Sequence, residues 1–409
     1  KLLREDIRLL GTFLGRVIKD QEGAAFFKIV ERLRLLSKNT LLDKNKSKVF
    51  LNISKEVKKL SPEKTFKITR AFSHILNLMN LAESLDASRK LNEYENPYFK
   101  SKNQNIFIED IIESLFKNKK ISDKKIYEQA TKLDIGIVLT AHPTEVKRRT
   151  LIQKYANLIE IMEQRHLYKK YPSKIIELDR KLYSEIAIIW KTDELKRTKP
   201  SPLDEARWGL AVIEDSLWDT IPKVYKRLND IFRKNLKKDL PRDFNPIQFG
   251  SWMGGDRDGN PNVTAEVTKK VLLFSRWQAA KLYEKELTKL IQDLSMKECS
   301  TKIKRVTGNS YEPYRVYLRP IRDKVRLTHR LIENHLNKNV PLNEKKLIQN
   351  KNEITLPLRE VRNSLKANRG EHIANADLLD LMRRVRCFGI NLARLDIRQE
   401  ADRHEKLLN

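Results

Sequence analysis

A chain of 409 residues that is 40% hydrophobic and 33% charged can bury a large core in roughly two to three domains; few glycines (12) and abundant Leu, Ile, Lys and Glu favour helix. No run approaches the ~20 apolar residues of a membrane span and no amino-terminal segment reads as a secretory signal, so a cytoplasmic protein with no membrane partner is expected. Two cysteines, Cys299 and Cys387, are too few for a disulfide framework or a thiolate metal site.

The net charge of +29 brings nucleic acid to mind as a partner, but the cations are spread along every helix beside acids, as in Lys55-Glu56-Val57-Lys58-Lys59. No basic tail or recognition-helix motif accompanies them, so no nucleic acid is expected. Such a field still helps collect small multivalent anions.

In chain order, Leu3, Ile7, Leu10, Phe13, Leu14, Val17 and Ile18 recur at helical spacing, and similar patterns over about 23–37, 62–90 and 105–132 complete a helical layer over 1–133. The run Ile135-Gly136-Ile137-Val138-Leu139 then predicts a short strand that delivers His142 to a turn stopped by Pro143, whose ring fixes φ and restricts His142 to extended geometry. Lys147, Arg148 and Arg149 follow in the first turns of a helix, where the macrodipole is already positive and favours anions instead. These residues read either as an anion-binding mouth at a strand end or as a turn histidine beside a solvated face.

Long helices are predicted from about 145 to 195, broken by Pro200 and Pro202, and a pair over about 203–238. Residues 249–264, F-G-S-W-M-G-G-D-R-D-G-N-P-N-V-T, hold four of the twelve glycines around an Asp-Arg-Asp triplet. Glycine collects where backbone takes positive φ or a ligand comes close, and two carboxylates flanking Arg257 are able to fix its guanidinium. A metal-binding or simply tight turn is the alternative. A helix over 264–296, a surface connection from Thr301 to Pro313, and helices over 314–337 and about 343–368 follow. A third strand is predicted within Cys387–Glu400, where the two-residue period puts Leu392, Arg394, Asp396 and Arg398 on one face; a solvated edge strand is the alternative. Cys387 is expected to pack beside a strand.

The segments T-A-H-P-T-E at 140–145, W-K-T-D-E-L at 190–195 with P-S-P-L-D-E-A-R-W-G at 200–209, the glycine-rich loop at 249–264 and L-D-I-R-Q-E at 395–400 together resemble phosphoenolpyruvate carboxylases, in family order and with scattered likeness along the whole chain. The resemblance implies a mostly α fold: a helix-rich β/α (TIM-type) barrel of which about the first three strands are present, with 1–133 an amino-terminal helical layer and 134–409 the first part of the barrel. It implies an allosteric, homotetrameric lyase that converts phosphoenolpyruvate and bicarbonate into oxaloacetate and phosphate through carboxyphosphate and the enolate of pyruvate, fixing carbon dioxide for the tricarboxylic acid cycle. It also implies His142 as the catalytic residue at the transferred phosphate, Arg398 as the phosphate ligand, Trp252 as the wall of the substrate pocket, and Arg257 and Arg394 as further substrate-binding residues. The cofactor is Mg or Mn, its ligands and a mobile loop expected in a carboxy-terminal half that this chain lacks, so the 409 residues read as an amino-terminal fragment without activity of its own. On the residues alone, another phosphoenolpyruvate- or pyruvate-handling barrel enzyme and a basic helical nucleic-acid-binding module stay open; the second leaves the glycine-rich loop unexplained.

Overall fold

The computed structural model describes residues 2–40, 46–95, 108–118, 120–140, 149–193, 200–241 and 243–408. The chain packs as two compact units, one made of residues 1–104 and 147–197, the other of 105–146 and 198–409.

In the first unit, α1 (Leu2–Glu22) carries Leu10, Leu14, Val17 and Ile18 on one buried stripe, which the three-to-four spacing creates. It is followed by α2 (Ala24–Thr40), α3 (Lys46–Lys58) and α4 (Pro62–Glu95). The helix over 46–58 has no counterpart in the sequence expectation, because its lysines leave only a thin apolar stripe. The chain then enters the second unit through α5 (Ile108–Lys117), α6 (Asp123–Thr131) and β1 (Ile135–Leu139), and returns to the first with α7 (Arg149–Leu167) and α8 (Pro172–Lys191). Leu158 of α7 and Leu182 of α8 join the α1 stripe in a single core. Trp190 closes that core, its indole N–H donating to Glu22 at 3.2 Å and its carbonyl accepting from Arg70 at 2.7 Å.

The second unit continues with α9 (Pro202–Val212), opened by a Ser201/Asp204 capping box, a π-helical turn over 213–217, and α10 (Trp218–Leu236). The expected helix pair over 203–238 is therefore one helical run. Pro222 lies inside α10 and has no N–H for the Trp218 carbonyl, which instead accepts from Arg384 Nε at 2.8 Å. After β2 (Ile247–Ser251) come α11 (Ala265–Asp293), α12 (Thr301–Thr307), α13 (Pro313–Lys338), α14 (Asn352–Ala367), α15 (Glu371–Ala374), α16 (Asp377–Phe388), β3 (Arg394–Leu395) and α17 (Ala401–Leu408).

Three expectations are corrected here. The stretch from Thr301 to Pro313 is not merely a connection: Ser300 caps α12, and Ile303 is fully buried in the main core. The helix expected from 343 begins at 352, because Leu347 and Ile348 are buried and Glu353 Oε1 accepts the Gln349 N–H at 2.7 Å, a bond that stops the helix from extending backwards. The third strand is only two residues long. α16 runs through Phe388, and Leu392, expected on the strand face, is fully buried at φ 57°.

β1, β2 and β3 form a parallel sheet in that order, with Ile135 opposite Ile247, Leu139 opposite Ser251, and Gly250 opposite Arg394. The fold is thus mostly α around a small parallel sheet. Phe249 of β2 turns into the helices, where its ring stacks on Phe388 at 5.5 Å, and Phe388 stacks in turn on Trp218 at 5.3 Å. The Tyr283 hydroxyl of α11 donates to Gly389 O at 2.6 Å and Ser275 donates to Asn391 O, so the turn before β3 is held from α11. Cys387 does lie against a strand, donating to Ile247 O at 3.4 Å. Burial pushes its thiol up to about 12.

Candidate active site at the carboxy-terminal edge of the sheet

Directly paired residues of neighbouring strands share a face, so Val138, Gly250 and Arg394 line the face opposite Phe249. Gly250 leaves that face open: where its Cβ would stand, the nearest atoms are Val138 Cγ2 at 3.5 Å and Asp396 Oδ2 at 3.8 Å.

Beyond the strands the ladder extends by single bonds. Trp252 N–H donates to Leu139 O at 3.2 Å, and Asp396 N–H donates to Ser251 O at 3.0 Å. The chain then turns on Trp252, whose carbonyl accepts from both Gly255 (3.0 Å) and Asp256 (2.9 Å). Two glycines are needed to turn so tightly. Gly254 sits at φ +79°, and a Cβ on Gly255 would lie 2.3 Å from Asp396 O. Thr268 Oγ1 of α11 donates to Gly254 O at 2.7 Å and fixes the turn from beneath, while the Met253 thioether lies against Gly209 of α9. The segment at 200–209 therefore serves this loop by packing.

Past the turn the segments following β2 and β3 meet again: Arg398 N–H donates to Gly255 O and Arg257 N–H to Arg398 O, each at 3.2 Å. This backbone bridge stations Arg398 over Trp252. The guanidinium carbon is 4.3 Å from the indole centroid, Nη2 is 3.3 Å from Asp256 Oδ2, and the indole N–H donates to Asp396 Oδ2 at 3.1 Å. A stack of carboxylate, guanidinium, indole and carboxylate results. An exposed cation–π contact contributes ~0.5–1 kcal/mol and an exposed ion pair ~0.2–1 kcal/mol. The Arg398 side chain is 52% exposed, against 15% for Asp256. Forces of this size orient the guanidinium while leaving most of its five N–H donors for an incoming anion.

The Asp-Arg-Asp clamp expected from the sequence is absent among the described residues. Arg257 donates through Nη1 to Gly255 O at 3.1 Å, and Asp256 instead holds Arg398. Asp256, although the immediate neighbour of Arg257 in sequence, is turned away from it, because the turn points it across to the segment that follows β3. Arg394 is exposed on β3, on the open face. His142, Lys147 and Arg148 lie outside the described residues; β1 ends at Leu139, three positions before His142, and Arg149 is the first residue of α7. No three His, Cys, Asp or Glu among the described residues are grouped so as to hold a metal ion. Asp256 and Asp396 are the residues whose orienting roles the sequence conceals, although the Gly254-Gly255 pair signals that something approaches closely there.

Residues 3–409 match the family model described as phosphoenolpyruvate carboxylase. The phosphoenolpyruvate carboxylase of Acinetobacter baumannii is 39% identical over 414 residues, covering all of this chain and 45% of that protein. That of Alcanivorax borkumensis is 39% identical over 408 residues, covering all of this chain and 45% of the relative. That of Haemophilus influenzae is 37% identical over 405 residues, covering 98% of this chain and 45% of the relative. This chain thus spans a little under half the length of the relatives it matches, and it belongs to the phosphoenolpyruvate carboxylase family.

Proposed function

We propose that the full-length protein carrying this chain carboxylates phosphoenolpyruvate with bicarbonate, releasing oxaloacetate and phosphate. The observation that supports this best is the half-exposed Arg398 guanidinium, held over the Trp252 ring at the carboxy-terminal edge of a parallel sheet, where α/β enzymes gather their ligands. Substrates, intermediates and products of this reaction are all anionic. A site for it must neutralise phosphate and carboxylate and keep water from carboxyphosphate.

In this reading Arg398 binds the substrate phosphate through its fork, keeping one donor on Asp256. Trp252 offers its flat face to the substrate methylene, with Asp396 fixing the tilt of the ring. His142, by motif match, meets the transferred phosphate and acts by hydrogen bonding or proton transfer. Arg394, on the open face, and Arg257, beside the turn, are assigned to substrate binding. When bound, Mg or Mn would supply Lewis-acid stabilisation of developing negative charge, with ligands that we assign to the part of the relatives' length outside this chain.

The proposal extends to the three strands as the first of a β/α barrel, with 1–133 as an amino-terminal layer, and to an allosteric homotetramer in the cytoplasm that feeds the tricarboxylic acid cycle. No helix among the described residues is long and apolar enough to cross a membrane. The test is an assay of the full-length protein with added Mg or Mn, coupled to malate dehydrogenase. Oxaloacetate formation that requires both phosphoenolpyruvate and bicarbonate is expected, with none from the 409-residue chain alone. Phosphate release that does not need bicarbonate would overturn the reading in favour of another phosphoenolpyruvate-handling enzyme.

A further inference from the structure

We infer that the second unit carries another binding site, for a small multivalent oxyanion, in a cavity of about 750 Å3 where Arg359, Arg362, Arg383 and Arg386 converge from α14 and α16 onto α10. The cavity lies at the opposite end of the sheet from Trp252 and Arg398. Its wall includes Phe244, in the segment that leads into β2, and Arg386 immediately precedes Cys387, whose thiol touches Ile247 at the first residue of β2. Five strand residues, about 17 Å, separate that point from the end of β2.

Charge is the first argument. Seven Lys or Arg residues line the cavity against three carboxylates, Asp230, Asp239 and Asp243. Asp239 is already committed, accepting from Arg233 Nε at 2.7 Å and from Asn229 at 3.0 Å. Arg383 is turned to Asp380 (3.0 Å) and Arg362 to Asn375 (2.7 Å). Arg359 and Arg386 have no hydrogen bond or ion pair among the described residues. Burial, together with Arg362, Arg359 and Arg383, holds the half-buried Arg386 guanidinium below its ordinary pKa, against the pull of Asp243.

Crowding cations round a partly desolvated guanidinium destabilises the empty cavity, and an oxyanion relieves it. Fit is the second argument. A cavity of this size is within the range that holds small molecules, and guanidinium forks grip phosphate and carboxylate alike in bidentate pairs. The shared chemistry is therefore a phosphate ester or a polycarboxylate carrying at least two charges.

The test is calorimetric titration of the full-length protein with inorganic pyrophosphate and, separately, with citrate, at an ionic strength held constant with NaCl. It is run in an Arg398→Ala background, which weakens anion binding at the proposed substrate site, so that failure of either assignment is read separately. Saturable binding at one site is expected, weakened at least tenfold by Arg359→Gln with Arg386→Gln; the tighter of the two anions identifies the ligand as phosphate-bearing or carboxylate-bearing. If the double variant does not fold, as circular dichroism will show, Arg359→Gln alone, at an exposed position, should weaken binding severalfold. No saturable binding of either anion overturns the inference. So does an affinity that these variants leave unchanged, which would mark the titration as screening of the bulk +29 charge.

Discussion

Gly255→Ala should disturb the site from a position that touches no substrate. The added methyl carbon would stand 2.3 Å from Asp396 O and 2.9 Å from Leu395 Cγ, where ordinary contacts need about 3.5 Å. The atom in the way is backbone, so β3 and the residues after it must move by about 1 Å, an overpacking cost of roughly 1–3 kcal/mol. That movement strains the Arg398 N–H to Gly255 O bond and slides the guanidinium off the Trp252 ring. Gly250→Ala is the internal control. Its nearest neighbour would be Val138 Cγ2 at 3.5 Å, ordinary contact, and alanine at a residue with compatible backbone is neutral or stabilises by ~0.4–1 kcal/mol. Urea unfolding followed by tryptophan fluorescence gives both stabilities, and titration with phospholactate, a non-reacting phosphoenolpyruvate analogue, gives the affinities. Gly255→Ala should lose on both measures, whereas Gly250→Ala should lose no stability. Equal midpoints for the two variants would refute the close-approach argument.

Trp252→Phe keeps an aromatic face under Arg398 but loses the indole bond to Asp396, so its Michaelis constant for phosphoenolpyruvate should rise less than that of Trp252→Ala; identical kinetics for the two would remove the stacking role. The Cys387 thiol, pushed up to about 12, should react with iodoacetamide at pH 8.5 about a thousandfold more slowly than a free cysteine, and alkylation at the free rate would contradict its burial. Because that thiol titrates higher folded than unfolded, its contribution to stability is complete below about pH 8.5 and is lost as pH rises towards 12. The urea midpoint of Cys387→Ala should therefore fall less steeply over that range than the parent's, and parallel slopes would count against it. His142→Ala in the full-length protein should lower oxaloacetate formation about a hundredfold or more with unchanged circular dichroism, whereas near-normal turnover would sink its catalytic assignment.

What was legible in the sequence is what short-range chemistry decides. Ile135–Leu139 is a strand because its apolar, β-branched run favours extended backbone, and α1 and α11 follow from their apolar stripes. What stayed hidden depends on residues far apart in the chain. Asp256 reaches Arg398 rather than its neighbour Arg257 because a glycine turn aims it there, and no spacing rule encodes a pairing across that distance. Leu392 interrupts the expected alternation since Ser275 and Tyr283 of α11 hold the turn before β3 in a left-handed bend. α12 is too short to show a period and is fixed by one buried isoleucine. The arginines of the cavity between α10, α14 and α16 looked like any other solvated helix face until packing brought three helices together.

The central claim is that Arg398, poised on Trp252, anchors the substrate's phosphate, and its most direct test is the affinity of the full-length protein for phospholactate before and after Arg398→Ala. Loss of a charge-assisted contact of about 1.5–3 kcal/mol predicts weakening of roughly tenfold to a hundredfold, with Arg398→Lys recovering only part because it has no fork. An Arg398→Ala protein that binds the analogue as tightly as the parent would contradict the account.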